Sequence, residues 1–261
     1  MGSIPRIFLR ETPKAGLEFP MDPSLSHYLT RVLRLGAGAP FRAFDPSGAE
    51  YEMVLTGTET PDAVARMISK IQDAPEKPLR IVLGQSLPKG SKMDLILRQG
   101  TEIGLDQIIP LLTERSISRP DKDQWEHKRD RWQKILIEAC RQCGRRDVPE
   151  LSPLTDWGAA LESFSQYDQV LLPYEKEAPS FRDVLESNST SRRILILIGP
   201  EGGWTPEEVA GAQSKGACVT HLPVPILRTE TAGLAAAAMI RFFKTRLFAR
   251  IGCAWFTRRW N

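Results

Sequence analysis

Short apolar runs alternate with helical patterns from residue 79 onward, and this alternation constrains the fold more than any other feature of the sequence. The runs are LRIVLG, QIIPLL, DQVLLP, RILILI and ACVTH, at residues 79–84, 107–112, 168–173, 193–198 and 217–221. Strands of a parallel sheet read as continuous apolar runs because crossover helices cover both of its faces. The sequence therefore predicts an α/β domain in which helices lie on both faces of a parallel sheet.

The first 71 residues show a different pattern, which predicts a small and mostly β unit. The runs PFRAF and EYEMVL flank the turn Asp45-Pro46-Ser47-Gly48, whose residues favour a hairpin. Asp22-Pro23 supplies an N-cap and a first-turn proline for one helix, which we expect Gly36 to end.

The stretch QDAPEKP at 72–78 is polar and contains two prolines, as is typical of a linker. We therefore predict a first domain over residues 1–73, a second over residues 74–250 and a basic, aromatic tail over residues 251–261. Residues 241–261 carry six Arg or Lys and no Asp or Glu. A basic end is compatible with a nucleic-acid partner, and equally with a purely solubilising role.

Composition excludes several other classes of protein. An apolar content of 41% and a charged content of 26% are ordinary for a globular chain. The first residues lack an apolar signal stretch, and the longest apolar run near the C-terminus is too short to span a bilayer, so we expect a cytoplasmic protein with no membrane partner. Four cysteines cannot form a disulfide scaffold, and Cys140 and Cys143 lack a second pair for zinc, so we predict no metal site.

The segment GPEGGW at 199–204 joins a predicted strand to the capping box Thr205-Pro206-Glu207-Glu208 of a predicted helix. Ligands of parallel sheets bind in such loops. The loop lacks the lysine of a phosphate cradle, and Glu201, Glu207 and Glu208 would repel a phosphate. It therefore favours a ligand without phosphate, such as the sulfonium S-adenosylmethionine. A tight turn that binds nothing is the alternative.

A second segment, ILRTETA at 226–232, follows IGPEGG at 198–203. Together they resemble the RsmE-type members of the SPOUT methyltransferases, which methylate N3 of a uridine in 16S ribosomal RNA. Further blocks resemble that family in order and approximate spacing: HYLTRVLRL (27–35), KGSKMDLILRQGTEIG (89–104), ERS (114–116) and RWQKILIEACRQCGR (131–145). The resemblance extends over nearly the whole chain.

The resemblance implies a PUA-like RNA-binding first domain and a SPOUT second domain whose C-terminal part is threaded as a trefoil knot. It also implies S-adenosyl-L-methionine as cofactor, 16S rRNA or the small ribosomal subunit as partner, and a homodimer with cofactor pockets close to the subunit interface. General topology rules would argue against a knot, which rests on the resemblance alone.

One departure from the family pattern concerns the second segment. The family usually has L-G-x-R-I-L-R, whereas this chain has prolines at 223 and 225 within residues 222–228. Proline has no amide hydrogen, so main-chain hydrogen bonds from these two positions to a cofactor are impossible. We therefore expect weaker cofactor binding or a shifted pose.

The resemblance also indicates which residues form the site. Methyl transfer depends mainly on aligning two bound reactants, and the uridine imide proton must leave. Arg228 and Glu230 are the predicted catalytic residues, with Arg228 stabilising the uracil oxygens or a flanking phosphate. Glu230 and Glu201 are candidate bases or sulfonium neighbours, although Glu230 could be a plain helix cap. His221 could relay a proton or simply pack. The predicted cofactor-binding residues are Leu172, Gly199, Glu201, Gly202, Leu222, Ile226, Leu227 and Ala232.

Arginines in the blocks that match the family are candidates for RNA binding, because a guanidinium can grip phosphates or stack on unpaired bases. They are Arg6, Arg10, Arg31, Arg34 and Arg145. Arg31 and Arg34 are one turn apart, so we expect them to be neighbours on a helix face. The tail, with Trp255 and Phe256, suits single-stranded RNA, but it could equally pack on the body or be disordered. A solvated polar face is the alternative for each arginine.

Two other functions stay open at this point. One is a SPOUT methyltransferase that acts on transfer RNA or on another ribosomal base. The other is a non-catalytic RNA-binding protein, in which the prolines at 223 and 225 mark a decayed cofactor pocket. Binding of S-adenosylmethionine separates the second alternative from both enzymes.

Overall fold

A computed structural model of the chain describes residues 4–59, 61, 63–74 and 77–250. The predicted tail at 251–261 lies outside these residues. Contacts divide the chain into two units: Met1–Glu76 with Cys140–Val148, and Lys77–Ala139 with Pro149–Asn261. The sequence pattern places Cys140–Val148 in the second domain, whereas the contacts group this segment with the first unit.

The first unit is built on a five-stranded sheet, as its β-rich pattern predicts. Its strands are β1 (Arg6–Phe8), β2 (Glu18–Pro20), β3 (Pro40–Phe44), β4 (Glu50–Gly57) and β5 (Val64–Gln72). Their order is β1-β3-β4-β5-β2, and only the β1–β3 pair among these strands is parallel. The antiparallel pair of β3 and β4 forms the predicted hairpin.

The buried carboxylate of Asp45 organises the hairpin turn. It accepts hydrogen bonds from the hydroxyls of Thr12 (2.6 Å) and Tyr51 (2.8 Å) and from the amides of Ser47 (2.9 Å) and Ala49 (3.2 Å). Burial alone raises the pKa of Asp45, but these hydrogen bonds outweigh it and leave that pKa below its ordinary value. The turn therefore depends on an ionised carboxylate.

The helix predicted after Asp22 is a regular α-helix only at its start. Helix α1 (Pro23–His27) is capped by Asp22 as expected, but the backbone then widens into a π-helical turn at Tyr28–Val32. The turn is closed by a bond from the amide of Leu33 to the carbonyl of Tyr28 (2.9 Å), five residues back. Arg34 then adopts a left-handed conformation with φ 55°. Arg31 and Arg34 therefore do not share the face of a regular helix.

The second unit contains the predicted parallel sheet. Its strands are β6 (Arg80–Ser86), β7 (Gln107–Leu112), β8 (Glu150–Leu151), β9 (Thr155–Asp156), β10 (Gln169–Pro173), β11 (Arg193–Ile198) and β12 (Cys218–Thr220). The order is β12-β10-β11-β6-β7-β8, with β9 also paired to β7, and every pair among these strands is parallel. The two-residue strands β8 and β9 were not predicted.

Helices cover both faces of this sheet, as the apolar runs predict. They are α2 (Lys92–Ile103), α3 (Lys122–Cys143), α4 (Trp157–Glu162), α5 (Phe181–Ser187), α6 (Pro206–Ser214) and α7 (Thr229–Arg250). Helix α7 packs so closely on one face that a Cβ on Gly233 would lie 2.8 Å from the Leu83 side chain. On the other face, Leu197 packs in a cluster with Ala160 of α4 and Ala212 of α6. Within the described ranges, no helix has both the length and the hydropathy needed to cross a membrane.

We expect the substitution Gly104→Ala to destabilise the second unit by about 1–2 kcal/mol. Gly104 ends α2 with φ 98°, a conformation that strains other residues, and an added Cβ would lie 3.0 Å from the Arg241 guanidinium. Gly211→Ala is the control, because Gly211 lies inside α6 and its added Cβ would meet only Leu161, at 3.6 Å. The control should stabilise by about 0.5–1 kcal/mol. Urea unfolding that ranks the two variants in the opposite order would contradict this packing.

We expect Asp45→Asn to cost about 1.5–3 kcal/mol of unfolding free energy at pH 7, because buried donors lose a charged acceptor. The folded pKa of Asp45 is lowered, so the wild-type advantage is present above the unfolded pKa and is lost as the pH falls through the folded value. Urea unfolding at pH 7 and pH 2.5 measures both effects. Asp73→Asn is the control and should change little, because the Asp73 carboxylate forms an exposed ion pair with Lys70.

Candidate functional site

The predicted glycine turn at 199–204 follows β11 at the carboxyl edge of the parallel sheet. Gly203 has φ 70°, which favours glycine, and its amide donates to the Pro200 carbonyl (2.9 Å). A Cβ on Gly199 would lie 3.3 Å from the Trp204 indole. Trp204 is buried against Trp157, with ring centroids 4.8 Å apart. This backbone therefore requires its glycines and is anchored at one end by a core aromatic.

The predicted capping box fixes the start of α6. The Thr205 hydroxyl accepts from the Glu208 amide (3.2 Å), and the Glu208 carboxylate accepts from the Thr205 amide (2.9 Å). The other carboxylate oxygen of Glu208 accepts from the Glu114 amide (2.8 Å). Glu208 is thereby occupied on both oxygens and joins the loop after β7 to the glycine turn.

Thr229, the first residue of α7, connects three elements. Its hydroxyl donates to the Gly199 carbonyl (2.6 Å) and accepts from the side-chain amide of Gln85 (3.0 Å). Gln85 belongs to the central strand β6 and is fully buried. The hydrogen bonds hold the glycine turn, the end of β6 and the start of α7 together. Sequence reasoning missed Gln85.

Lys92 lies between the two predicted carboxylates, and we call Lys92, Glu201 and Glu230 the charged cluster. The Lys92 ammonium is 2.9 Å from Glu201 Oε1 and 3.2 Å from Glu230 Oε2. Glu201 Oε1 also accepts from the Lys89 amide (3.1 Å). Sequence reasoning quoted Lys92 within a matching block but gave it no role. The available signal was a lysine at a helix start, where carboxylates are preferred.

The charged cluster shifts the titration of its members. Burial raises the pKa of Glu201 and of Glu230, but hydrogen bonds to each carboxylate, including those from Lys92, leave both pKa values below their ordinary range. The hydrogen bond to Glu201 raises the pKa of Lys92. All three groups are therefore charged at neutral pH, and the two carboxylates are weaker proton acceptors than unperturbed ones.

Arg115 holds the glycine turn from the side of β7. Its guanidinium donates to the Gly202 carbonyl (2.7 Å) and, more distantly, to the Trp204 carbonyl (3.4 Å). A Cβ on Gly202 would lie 3.3 Å from the Arg115 side chain, so this glycine permits the close approach. The matching block ERS therefore contributes a clamp on the turn, a role that sequence reasoning did not assign.

The loop at 222–228 presents mostly exposed residues. The Ile226 side chain is 84% exposed, Val224 is also exposed, and Leu222 and Leu227 are partly buried. Arg228 is exposed, and among the residues the structure describes its side chain makes no hydrogen bond or ion pair. Its charge also acts on Glu230, whose pKa it helps to lower, but the guanidinium keeps its hydrogen-bond donors available for an anion at the carboxyl edge of the sheet.

The other predicted site residues are distributed as follows. Gly199, Glu201 and Gly202 lie on one turn, and Glu230 and Ala232 lie in the first turn of α7, where Glu201 and Glu230 meet through Lys92. Two predicted roles fit their surroundings less well.

Leu172 of β10 is fully buried in the apolar core, and its contact with a cofactor stays a prediction. His221 Nδ1 is 2.7 Å from the Ala178 carbonyl oxygen, and the strand bridge between Ser180 and His221 holds the same segment. A packing role therefore accounts for His221 without proton relay.

Two of the five predicted RNA-binding arginines are engaged inside the first unit. The Arg6 side chain is only 14% exposed, pairs with Glu50 (3.0 Å) and donates to the Arg145 carbonyl (2.8 Å). Arg145 is buried and pairs with Asp147 (2.7 Å). Both guanidinium groups are therefore engaged with protein groups, and their binding to RNA stays a prediction. These contacts also explain why Cys140–Val148 groups with the first unit.

The remaining three arginines, Arg10, Arg31 and Arg34, are exposed. Their binding to RNA stays a prediction.

Comparison with known proteins gives a consistent result. A family of RNA methyltransferase domains matches residues 75–241. The ribosomal RNA small subunit methyltransferase E of Synechocystis is 33% identical over 82% of this chain and 69% of its own, and that of Bacillus subtilis is 29% identical over 83% and 86%.

Solved structures agree with these matches. The ribosomal RNA small subunit methyltransferase E of Neisseria gonorrhoeae, bound to S-adenosyl methionine, is 33% identical, with a TM-score of 0.83 over 91% of this chain and 97% of that one. A putative methyltransferase of Legionella pneumophila with bound cofactor SAM is 26% identical, with a TM-score of 0.85 over 92% and 98%. This chain, with its glycine turn and its α7 start joined at the carboxyl edge of a parallel sheet, belongs to the ribosomal RNA small subunit methyltransferase E family.

Proposed function

We propose that this protein transfers the methyl group of S-adenosyl-L-methionine to N3 of a uridine in the 16S rRNA of the small ribosomal subunit. The main support is the hydrogen bond from Thr229 to Gly199, which brings together the two segments that the family resemblance assigns to the cofactor. The names of the relatives, and the cofactor bound in the Neisseria and Legionella structures, support the same activity.

The residues present suit this cofactor. Gly202 is exposed and Gly199 is partly exposed at the turn, and the exposed Ile226 offers an apolar surface for an adenine ring. The charged cluster carries two carboxylates and one ammonium, so its net negative charge favours a sulfonium over a phosphate. Pro223 and Pro225 lack amide hydrogens, and the Val224 amide already donates to the Leu222 carbonyl (2.8 Å), so the loop amides left for a cofactor are those of 226–228. When bound, the cofactor supplies an electrophilic methyl group.

Arg228 is the residue we assign to the uridine. Loss of the imide proton places negative charge on the uracil oxygens, and a guanidinium with no other partner can stabilise that charge as it develops. Glu201 and Glu230 are poor candidates for the base, because hydrogen bonds outweigh burial and lower the pKa of both: those from Lys92 and then the backbone for Glu201, and those from its own backbone amide and then Lys92 for Glu230. The imide proton passes to solvent water, so catalysis depends on alignment and on Arg228 rather than on a strong protein base.

We also propose the RNA-binding domain, the chain threading and the assembly that the family resemblance implies. The first unit acts as a PUA-like RNA-binding domain that uses Arg10, Arg31 and Arg34. The C-terminal part of the second unit is threaded as a trefoil knot, and two copies form a homodimer in the cytoplasm.

Mapping of the modified base tests the activity. Small subunits that lack the modification are incubated with the protein and with methyl-labelled S-adenosylmethionine, and the labelled nucleotide is identified by mass spectrometry. We expect one N3-methyluridine in 16S rRNA. Label in transfer RNA or at another base would instead support a different SPOUT methyltransferase. Absence of both label and cofactor binding would support a non-catalytic RNA-binding protein.

We expect Arg228→Ala to lower kcat by roughly 10²–10³-fold, as for the loss of one donor to a developing oxyanion. Its Kd for S-adenosylmethionine should change by less than about threefold, since the guanidinium is assigned to the uridine. Arg182→Ala is the control, because Arg182 is an exposed arginine of α5 that pairs only with Glu186 (2.8 Å). A folded Arg228→Ala variant that binds cofactor and methylates at the full rate would remove this assignment.

A further inference from the structure

Lys92 occupies a position that the proposed reaction does not by itself explain. It is the first residue of α2, where the positive end of the helix dipole disfavours a cation. Its ammonium nevertheless lies within 3.2 Å of carboxylates from two different segments, Glu201 of the glycine turn and Glu230 of α7. Such a bridge offsets the unfavourable position and ties both segments to α2.

We propose that Lys92 is a positioning residue that joins the two cofactor segments and sets the enzyme's preference between S-adenosylmethionine and S-adenosylhomocysteine. The inference rests on the proposed function, because the second compound is what remains of the first after methyl transfer. The bridge itself is a property of the described residues. Lys92 does not touch the reacting atoms in this assignment and acts through Glu201 and Glu230.

The connection between the segments follows from their contacts. Glu201 Oε1 is held by two donors from the α2 side, the Lys89 amide (3.1 Å) and the Lys92 ammonium (2.9 Å). Glu230 follows Thr229, whose hydroxyl holds the Gly199 carbonyl (2.6 Å). The turn and the start of α7 are therefore joined twice, once through Thr229 and once through Lys92. Loss of Lys92 leaves only the first connection.

The preference between the two ligands follows from charge. The substrate carries a positive sulfonium, whereas the product carries a neutral thioether, and the two share their remaining atoms. Lys92 reduces the charge of the cluster from two negative units to one. A mutation that only loosens the turns weakens the binding of both ligands equally. A change in the charge of the cluster alters only the affinity for the ligand that carries the sulfonium.

The test measures Kd for both ligands by titration calorimetry on the full-length protein. We expect Lys92→Met to weaken binding of S-adenosylhomocysteine, and to raise the ratio of the Kd for S-adenosylhomocysteine to the Kd for S-adenosylmethionine by roughly two- to sixfold. Lys92→Arg keeps the charge and should keep the ratio. Glu201→Gln and Glu230→Gln remove one negative charge each, so each should lower the ratio by a similar factor.

Lys215→Met is the matched control, because Lys215 also forms an ion pair, with Glu162 (2.8 Å), but contacts neither cofactor segment. Its ratio should equal that of the wild type. If Lys92→Met fails to fold, the two glutamine variants test the same charge effect with the opposite sign.

The outcomes separate the inference from the function on which it rests. A wild-type protein that binds both ligands, with a ratio that no variant of the charged cluster changes, overturns the role of Lys92 but leaves the methyltransferase in place. A wild-type protein that binds neither ligand overturns the proposed function and this inference together.

Discussion

The hydrogen bonds through the Thr229 hydroxyl connect the fold of the second unit to its site. In the parallel register of β6 and β11, Gln85 lies opposite Ile198, the residue just before the glycine turn. A buried amide at this point needs a partner, and Thr229 supplies one while it also donates to the Gly199 carbonyl. The close packing of α7 on β6 at Gly233 delivers Thr229 to that position. The register of β6 and β11, the packing of α7 on β6 and the geometry of the glycine turn therefore depend on one another.

Charge in this region is arranged to be nearly balanced. The Glu208 carboxylate accepts hydrogen bonds from the capping box and from the Glu114 amide, and Glu201 and Glu230 both form ion pairs with Lys92. Arg228 is the cation that this arrangement leaves without an ion pair among the described residues. The Arg228 charge acts on Glu230 without forming an ion pair, so its hydrogen-bond donors stay available for a substrate anion. This division matches a reaction limited by alignment and by stabilisation of developing charge, rather than by proton transfer to a carboxylate.

Features encoded locally could be predicted from the sequence, and those that depend on distant residues could not. RILILI became the central strand β11 because continuous apolar runs leave few alternatives to a doubly covered sheet. The box Thr205-Glu208 was also local, since both partners lie in one turn. The strands β8 and β9 are too short to show a period. The bridge from Lys92 to Glu201 spans more than a hundred residues, so no window of sequence contains it.

Arg6 also shows that contacts between residues distant in sequence cannot be predicted from local patterns. An arginine in a β-rich unit that resembles an RNA-binding domain is a reasonable candidate for phosphate contact. Arg6 is instead mostly enclosed by protein, and its guanidinium donates to Glu50 and to the Arg145 carbonyl, both distant in sequence. Residue type and family block predict what a side chain can bind, whereas only tertiary contacts show whether it is already bound.

The prolines in the loop at 222–228 have two opposite effects on ligand binding. Pro223 and Pro225 remove two amide donors that a glycine and an arginine would keep at these family positions. The same prolines fix φ twice in seven residues, so the loop has fewer conformations to lose when a ligand binds. An exposed loop with a side chain such as Ile226 on its surface gains most from such stiffening, because few packing contacts hold it otherwise. The prolines therefore remove possible hydrogen bonds to a ligand, but they restrict the loop to fewer conformations before the ligand binds.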